Sequence, residues 1–250
     1  FGGDLLPHGL RNPDGIADFS KDYLFPRLKE LKEKLKEKYP EMFVILGNDD
    51  FRSEETKFIE ASAQGLFHYL NMELIDLGRL NVIGYPFVPP TPFRLKDWEK
   101  YDVDQEVRPG CLPPESGFRS TNPDYDPATA TIASDLDRLT ANLDLSNTVV
   151  LFHSPPYDTK LDRANLDDMR FGDIQPDKHI GSRAIKEFIE HRQPLLTLHG
   201  HVHESTRRTG HWQEKIKRTV ACNGAHGGRE LCILKFKDLQ HPEHATRELK

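Results

Sequence analysis

Three histidines fall within five residues at His199-Gly200-His201-Val202-His203, directly after the apolar run Pro194–Leu198. An apolar run that stops at glycine reads as a buried strand delivering a loop to the rim of a sheet. If the chain stays extended beyond Gly200, His201 and His203 share a face, and two imidazoles aimed at one point suit a divalent metal ion. A solvated loop is the other reading of this stretch by itself. Further stretches repeat the arrangement: Gly3-Asp4 before a Pro/Gly loop, Gly47-Asn48-Asp49-Asp50 after Met42–Leu46, and His153 after Thr148–Phe152. Taken singly, Gly-Asp and Gly-Asn-Asp are ordinary turn chemistry. Pro155 and Pro156 hold the backbone beyond His153 extended, which fixes the direction of that imidazole.

Positioning these groups needs strands that end together, and the pattern supplies them. Leu24–Tyr39 has helical periodicity, with Leu28, Leu31 and Leu35 as its buried stripe and Pro26 in its first turn. Met42–Leu46 follows as a strand, so helix, strand and polar loop form one repeat of an α/β sheet, whose ligand-bearing loops lie at the carboxyl ends of the strands. A helix is expected over Thr56–Tyr69, then a hairpin of Glu73–Leu77 and Leu80–Tyr85 around Gly78-Arg79. The Pro- and Gly-rich stretch from Arg94 to Pro127 reads as a long excursion or lid over the sheet edge, with Trp98, Tyr101, Phe118 and Tyr125 either lining a pocket or, as such aromatics more often do, tacking it down. Ser134 is expected to cap a helix with Leu136, Leu139 and Leu143 inward, and Ser182 to cap another carrying Ile185, Phe188 and Ile189. Between them Tyr157–Lys178 reads as a polar loop. Arg218–Cys222 and Leu231–Phe236 read as strands joined through Asn223-Gly224, with a charged, peripheral tail from Lys237.

The chain has 250 residues, enough for one core, and we read it as a single domain. A formal net charge of −6 and the absence of a Lys/Arg block argue against a general nucleic-acid binder. Three cysteines without paired spacing suit a reduced, cytoplasmic compartment, and the apolar runs are too short to span a bilayer. Phe1-Gly2-Gly3-Asp4 reads like the end of a strand, so we expect further sequence upstream of Phe1.

In chain order the motifs are GD, GNxD, H and GHxH. From Gly3 to His203 this series resembles the calcineurin-like metallophosphoesterase superfamily. The resemblance implies a four-layer α/β/β/α sandwich and two divalent metal ions, Mn first, with Fe, Zn or Ni possible. Asp4 would bridge the ions, Asn48, His153 and His201 would complete one site, and His203 would belong to the other together with an upstream D-x-H motif. That motif does not occur before Asp4. Two ions about 3.5–4 Å apart clamp a phosphoester and turn a bridging water into hydroxide, which attacks phosphorus. Mixed imidazole, carboxylate and amide ligands suit these metals without choosing among them.

Many relatives carry a His after the metal-binding Asn, oriented by an Asp three residues after the bridging Asp. Here those positions are Asp49 and Pro7. Asp49, or His8 in its place, is therefore the candidate acid for the leaving group. Arg52 is a candidate substrate contact or a surface ion pair, and His199 would stand behind the ligands. His179, His211 and His226 could approach the metals across loops, although a surface role suits each as well. The expectation is a metal-dependent hydrolase of phosphoesters, phosphodiesters ahead of monoesters. The rival readings are a non-catalytic metal-binding interaction module on the same fold and a protein Ser/Thr phosphatase.

Overall fold

The apolar runs that end in candidate ligands lie side by side. In a computed structural model, which describes residues 1–7, 18–170, 172–173 and 175–250, a six-stranded sheet is built from β3 (Glu73–Asp76), β4 (Asn81–Tyr85), β5 (Thr148–Phe152), β6 (Leu196–His199), β7 (Gln213–Ile216) and β8 (Thr219–Asn223), in the order β3-β4-β5-β6-β8-β7. β4, β5, β6 and β8 are mutually parallel, while the edge strands β3 and β7 run antiparallel to their neighbours. Every residue of β5 is buried, which is why its sequence is an apolar run without alternation.

Two short ladders stand apart from this sheet. β1 (Phe43–Val44) pairs in parallel with β2 (His68–Tyr69), and the chain start adds to the opposite edge of β1 through the Gly2–Ile45 bridge and an Ile45 N–H to Phe1 carbonyl bond of 3.2 Å. β9 (Cys232–Lys235) pairs antiparallel with β10 (Thr246–Leu249).

Among the described residues the α-helices are α1 (Phe25–Leu35), α2 (Glu55–Ala63), α3 (Ile132–Leu139), α4 (Arg183–Arg192) and the short α5 (Ser205–Thr209). Side chains alternating along β5 divide between two surroundings. Val150 and Phe152 pack in one cluster with Leu136 of α3 and Ile185 and Phe188 of α4. Leu151 instead packs with Ile45 and Leu70, and Val149 with Leu234 and Phe236. The chain is thus an α/β protein, and among the described residues no helix is long and apolar enough to cross a membrane.

Several sequence expectations need correction. The helix expected to reach Tyr69 stops at Ala63, because Gly65 takes a positive φ of 68° and the following residues pair with β1 as a strand. Thr131, not Ser134, caps α3: its side chain accepts the Ser134 N–H at 3.1 Å, so the helix begins a turn earlier. Leu31 and Leu143 are 38% and 37% exposed, so neither is a core position. β7 is a further strand, with too few apolar residues over Gln213–Ile216 to give a strand pattern in the sequence. The tail is not peripheral: Leu239 packs under the sheet and Thr246–Leu249 completes a ladder with β9.

Candidate metal centre

Asp4, Asn48, His153 and His201 all follow the carboxyl ends of strand segments. Asp4 comes after the Gly2 bridge, Asn48 after β1, His153 immediately after β5 and His201 just past β6. One ligand atom each from Asp4, His153 and His201 lies within 4.8 Å of the others. His153 Nε2 is 3.2 Å from Asp4 Oδ2 and 3.0 Å from Asn48 Oδ1. The His153 and His201 rings are 5.2 Å apart, centre to centre.

Local backbone strain accompanies this convergence. Asp4 and His201 both sit at positive φ, 53° and 65°, a conformation that costs a non-glycine residue roughly 1 kcal/mol or more. Three glycines make the room. A Cβ on Gly3 would lie 2.5 Å from His153 Nδ1, one on Gly47 would lie 2.3 Å from Asp4 Oδ1, and one on Gly200 would lie 3.0 Å from the Gly2 carbonyl oxygen. The glycines preceding the ligands are therefore space requirements of the site as well as turn formers.

His153 is fully buried and held from both ends. Its Nδ1 lies 2.6 Å from the Gly2 carbonyl oxygen, which can only accept, so Nδ1 carries a proton and Nε2 is the atom facing Asp4 and Asn48. Burial alone would lower its pKa; the charge and hydrogen bond of Asp4 outweigh that and raise it. Asp4 shows the reciprocal effect: burial would raise its pKa, but His153 and the Asp49 N–H at 2.9 Å hold it far below the usual carboxylate range. His201 differs: burial and the charge of His153 push its pKa down to about 3, leaving a neutral imidazole.

His203 is not part of this cluster. The left-handed turn at His201 ends the extended course assumed for the loop, and His203 is exposed while Val202 between them is buried. His199 is 4% exposed, stacked on Phe152 at 5.5 Å, with Nδ1 2.9 Å from the Ser154 carbonyl oxygen and Nε2 2.8 Å from Thr197 Oγ1. It holds the β5 and β6 ends together behind the ligands. The Asp49 carboxylate accepts the Asn48 side-chain N–H at 3.2 Å. Arg52 does bear an ion pair, but its side chain is only 13% exposed: it bonds Glu55 at 3.2 Å and Asp124 at 3.1 Å, and lies over the rings of Trp98 and Tyr125. His8 falls outside the described residues. His179 pairs with the buried Asp162 at 2.7 Å, and His226 with Glu230 at 3.2 Å.

Two residues passed over as turn formers organise the site. Asp50 is 0% exposed and accepts backbone N–H bonds from Leu6 at 2.8 Å, Gly47 at 2.9 Å and Leu5 at 3.2 Å, clamping the Asp4 loop to the Asn48 loop. Burial and the charge of Asp4 push its pKa up to about 6 against those three bonds. Asn223, also 0% exposed, donates to the Leu161 carbonyl at 2.8 Å, to Ser205 Oγ at 2.9 Å and to the Val202 carbonyl at 3.3 Å, tying down the chain just after His201. The second Asp of GNDD and the Asn of Asn-Gly were the available signals, and each read as a turn. From the long excursion, Trp98 donates to the Asp50 carbonyl at 2.9 Å and is itself 0% exposed, whereas the Phe118 ring is 51% exposed and that residue ties the segment only through backbone bonds with Arg94 and Lys96.

No protein-family profile matches the chain, and no curated protein matches it. Among solved structures, TT1561 of Thermus thermophilus is 15% identical, the alignment covering 90% of this chain and 79% of that one with a TM-score of 0.49. Another is 18% identical, covering 91% of this chain and 72% of that one, also with a TM-score of 0.49.

Proposed function

We propose that this chain is a metal-dependent phosphoesterase of the calcineurin-like type, acting on phosphodiesters ahead of monoesters. The observation that carries the reading is the convergence of Asp4, Asn48, His153 and His201 on one point. The Asp4 and Asn48 oxygens facing His153 are acceptors, so Nε2 meets them comfortably only as a protonated donor or with a cation between them. A carboxylate, an amide oxygen and two imidazoles fit a borderline divalent ion such as Mn, Fe, Zn or Ni. The bond from His153 Nδ1 to the Gly2 carbonyl is the outer contact that orients a ligating histidine. For a second ion, which the resemblance implies, the chain contributes Asp4 and His203. The opposite surroundings of alternate β5 residues, helices on one side and strand ladders on the other, support a four-layer α/β/β/α arrangement.

When bound, divalent metal supplies a Lewis acid for the phosphoryl oxygens and a nucleophile drawn from water at neutral pH. The protein's own residues set the rest. His153 and Asn48 are locked by partners behind them, so little reorganisation accompanies reaction. Asp50 keeps the two ligand loops in register. Asp49, hydrogen-bonded to Asn48, stands where relatives place the acid for the leaving group. With Asp49 and Pro7 replacing the His–Asp pair, catalysis favours leaving groups that need little protonation.

The test is Mn-supplemented hydrolysis of a chromogenic phosphodiester, with His201→Ala measured beside the wild type and bound metal quantified in both. Turnover that collapses in the variant supports the proposal. Absence of turnover across several metals, in protein shown to carry metal, overturns it in favour of a binding module.

A further inference from the structure

Beyond the ligand cluster, a cavity of about 600 Å³ opens where His203 is exposed; Arg207, His226, Glu230 and Arg247 also line it. Arg207 lies on α5 and Arg247 on β10, so a local segment and the distant tail are brought to one rim. The 225–228 loop passes close to His203: a Cβ added to Gly227 would meet the His203 Cβ at 3.8 Å.

The charges around this cavity are unevenly paired. Glu230 faces His226 at 3.2 Å, and the other carboxylate of the cavity, Glu204, accepts the Asn165 N–H at 2.9 Å. Among the described residues neither Arg207 nor Arg247 forms an ion pair, whereas the adjacent Arg208 reaches Asp167 at 3.9 Å. Arg247 lies against the Cys232 thiol and has a long 3.5 Å contact to the Ala225 carbonyl, and its Nε is buried without a hydrogen-bond acceptor, as is Thr206 Oγ1. Two guanidinium groups without a carboxylate partner at one rim suit a multi-oxygen anion.

We infer that this cavity receives a second phosphate group on the substrate, gripped by Arg207 and Arg247 while the ester to be cleaved lies at the metal cluster. This rests on the phosphoesterase reading. Guanidinium forks match phosphate oxygens in pairs. The cavity's volume suits a small molecule, and the net charge of −6 disfavours a long polyanion.

The test compares two chromogenic phosphodiesters, alike except that one carries a terminal phosphate on its non-chromogenic arm, with the Mn-loaded full chain. Wild type should prefer the phosphorylated ester by roughly tenfold or more in kcat/KM, expressed in KM. The preference should fall toward unity in the Arg207→Ala and Arg247→Ala double variant and be partly kept by Arg207→Lys. A wild type without preference, or a preference that survives the double substitution, overturns the inference. If neither ester is turned over, the phosphoesterase reading fails, and inorganic pyrophosphate titrated into metal-free protein decides the cavity separately. Tighter binding to wild type than to the double variant supports the inference; equal binding or none overturns it.

Discussion

His153 Nε2 stands 3.2 Å from Asp4 Oδ2 while its other ring nitrogen is tied to the Gly2 carbonyl. A proton on Nε2 would therefore occupy the place proposed for a metal ion. Because Asp4 raises the His153 pKa, metal binding and protonation compete for that nitrogen. We expect Mn affinity to fall as pH drops below the raised pKa, with protons released on binding. Calorimetry in two buffers of different ionisation enthalpy measures this directly. A buffer-independent heat would contradict it.

Gly47 and Gly2 give a paired comparison. A Cβ on Gly47 would lie 2.3 Å from Asp4 Oδ1 and 2.6 Å from His153 Cε1, whereas one on Gly2 meets nothing within 4 Å. Gly47→Ala should weaken metal binding roughly tenfold or more while the secondary structure persists, since displaced ligands cannot chelate well. Gly2→Ala should bind like wild type. Equal affinities for the two variants would mean that the close approach is unimportant.

Trp98→Phe removes the indole N–H bonded to the Asp50 carbonyl and leaves that buried oxygen short of a partner. The expected cost is about 2 kcal/mol, read as a lower urea midpoint. Metal affinity should fall with it, because the same residue steadies the loop carrying Asn48. A variant as stable as wild type would show that the excursion does not brace the site.

Cys222 lies in β8 at 0% exposure, and burial pushes its thiol up to about 12. At about pH 8 the reactive thiolate is therefore scarce and sheltered. Iodoacetamide should label Cys111 and Cys232 in native protein well before Cys222, and mass spectrometry after proteolysis should show all three labelled once the chain is unfolded. Early labelling of Cys222 would mean that β8 opens readily.

Much of the frame was legible because strand signals are local. Thr148–Phe152 and Pro194–Leu198 announced buried strands by composition, and the structure puts β5 and β6 there, with His153 and His199 at their ends. The hairpin around Gly78-Arg79 and the Ser182 cap were readable for the same reason. Thr56–Tyr69 misled because its apolar residues fit a helix, and only pairing with β1 turned its last part into a strand.

By itself the sequence determined which chemical types stand at which strand ends: carboxylate, amide and imidazole, each behind a glycine or an apolar run. Tertiary structure decided which of them meet. His201 joins Asp4 and His153, whereas His203, two residues on, is exposed and lines the cavity of Arg207 and Arg247, a division that spacing along the loop does not encode. The same holds for the proton on His153 Nδ1, set by Gly2, and for Asp50, whose turn-like context hid a clamp between distant loops. Strand propensity and burial pattern depend on near neighbours, whereas these contacts join residues far apart in the chain and exist only once the sheet order is formed.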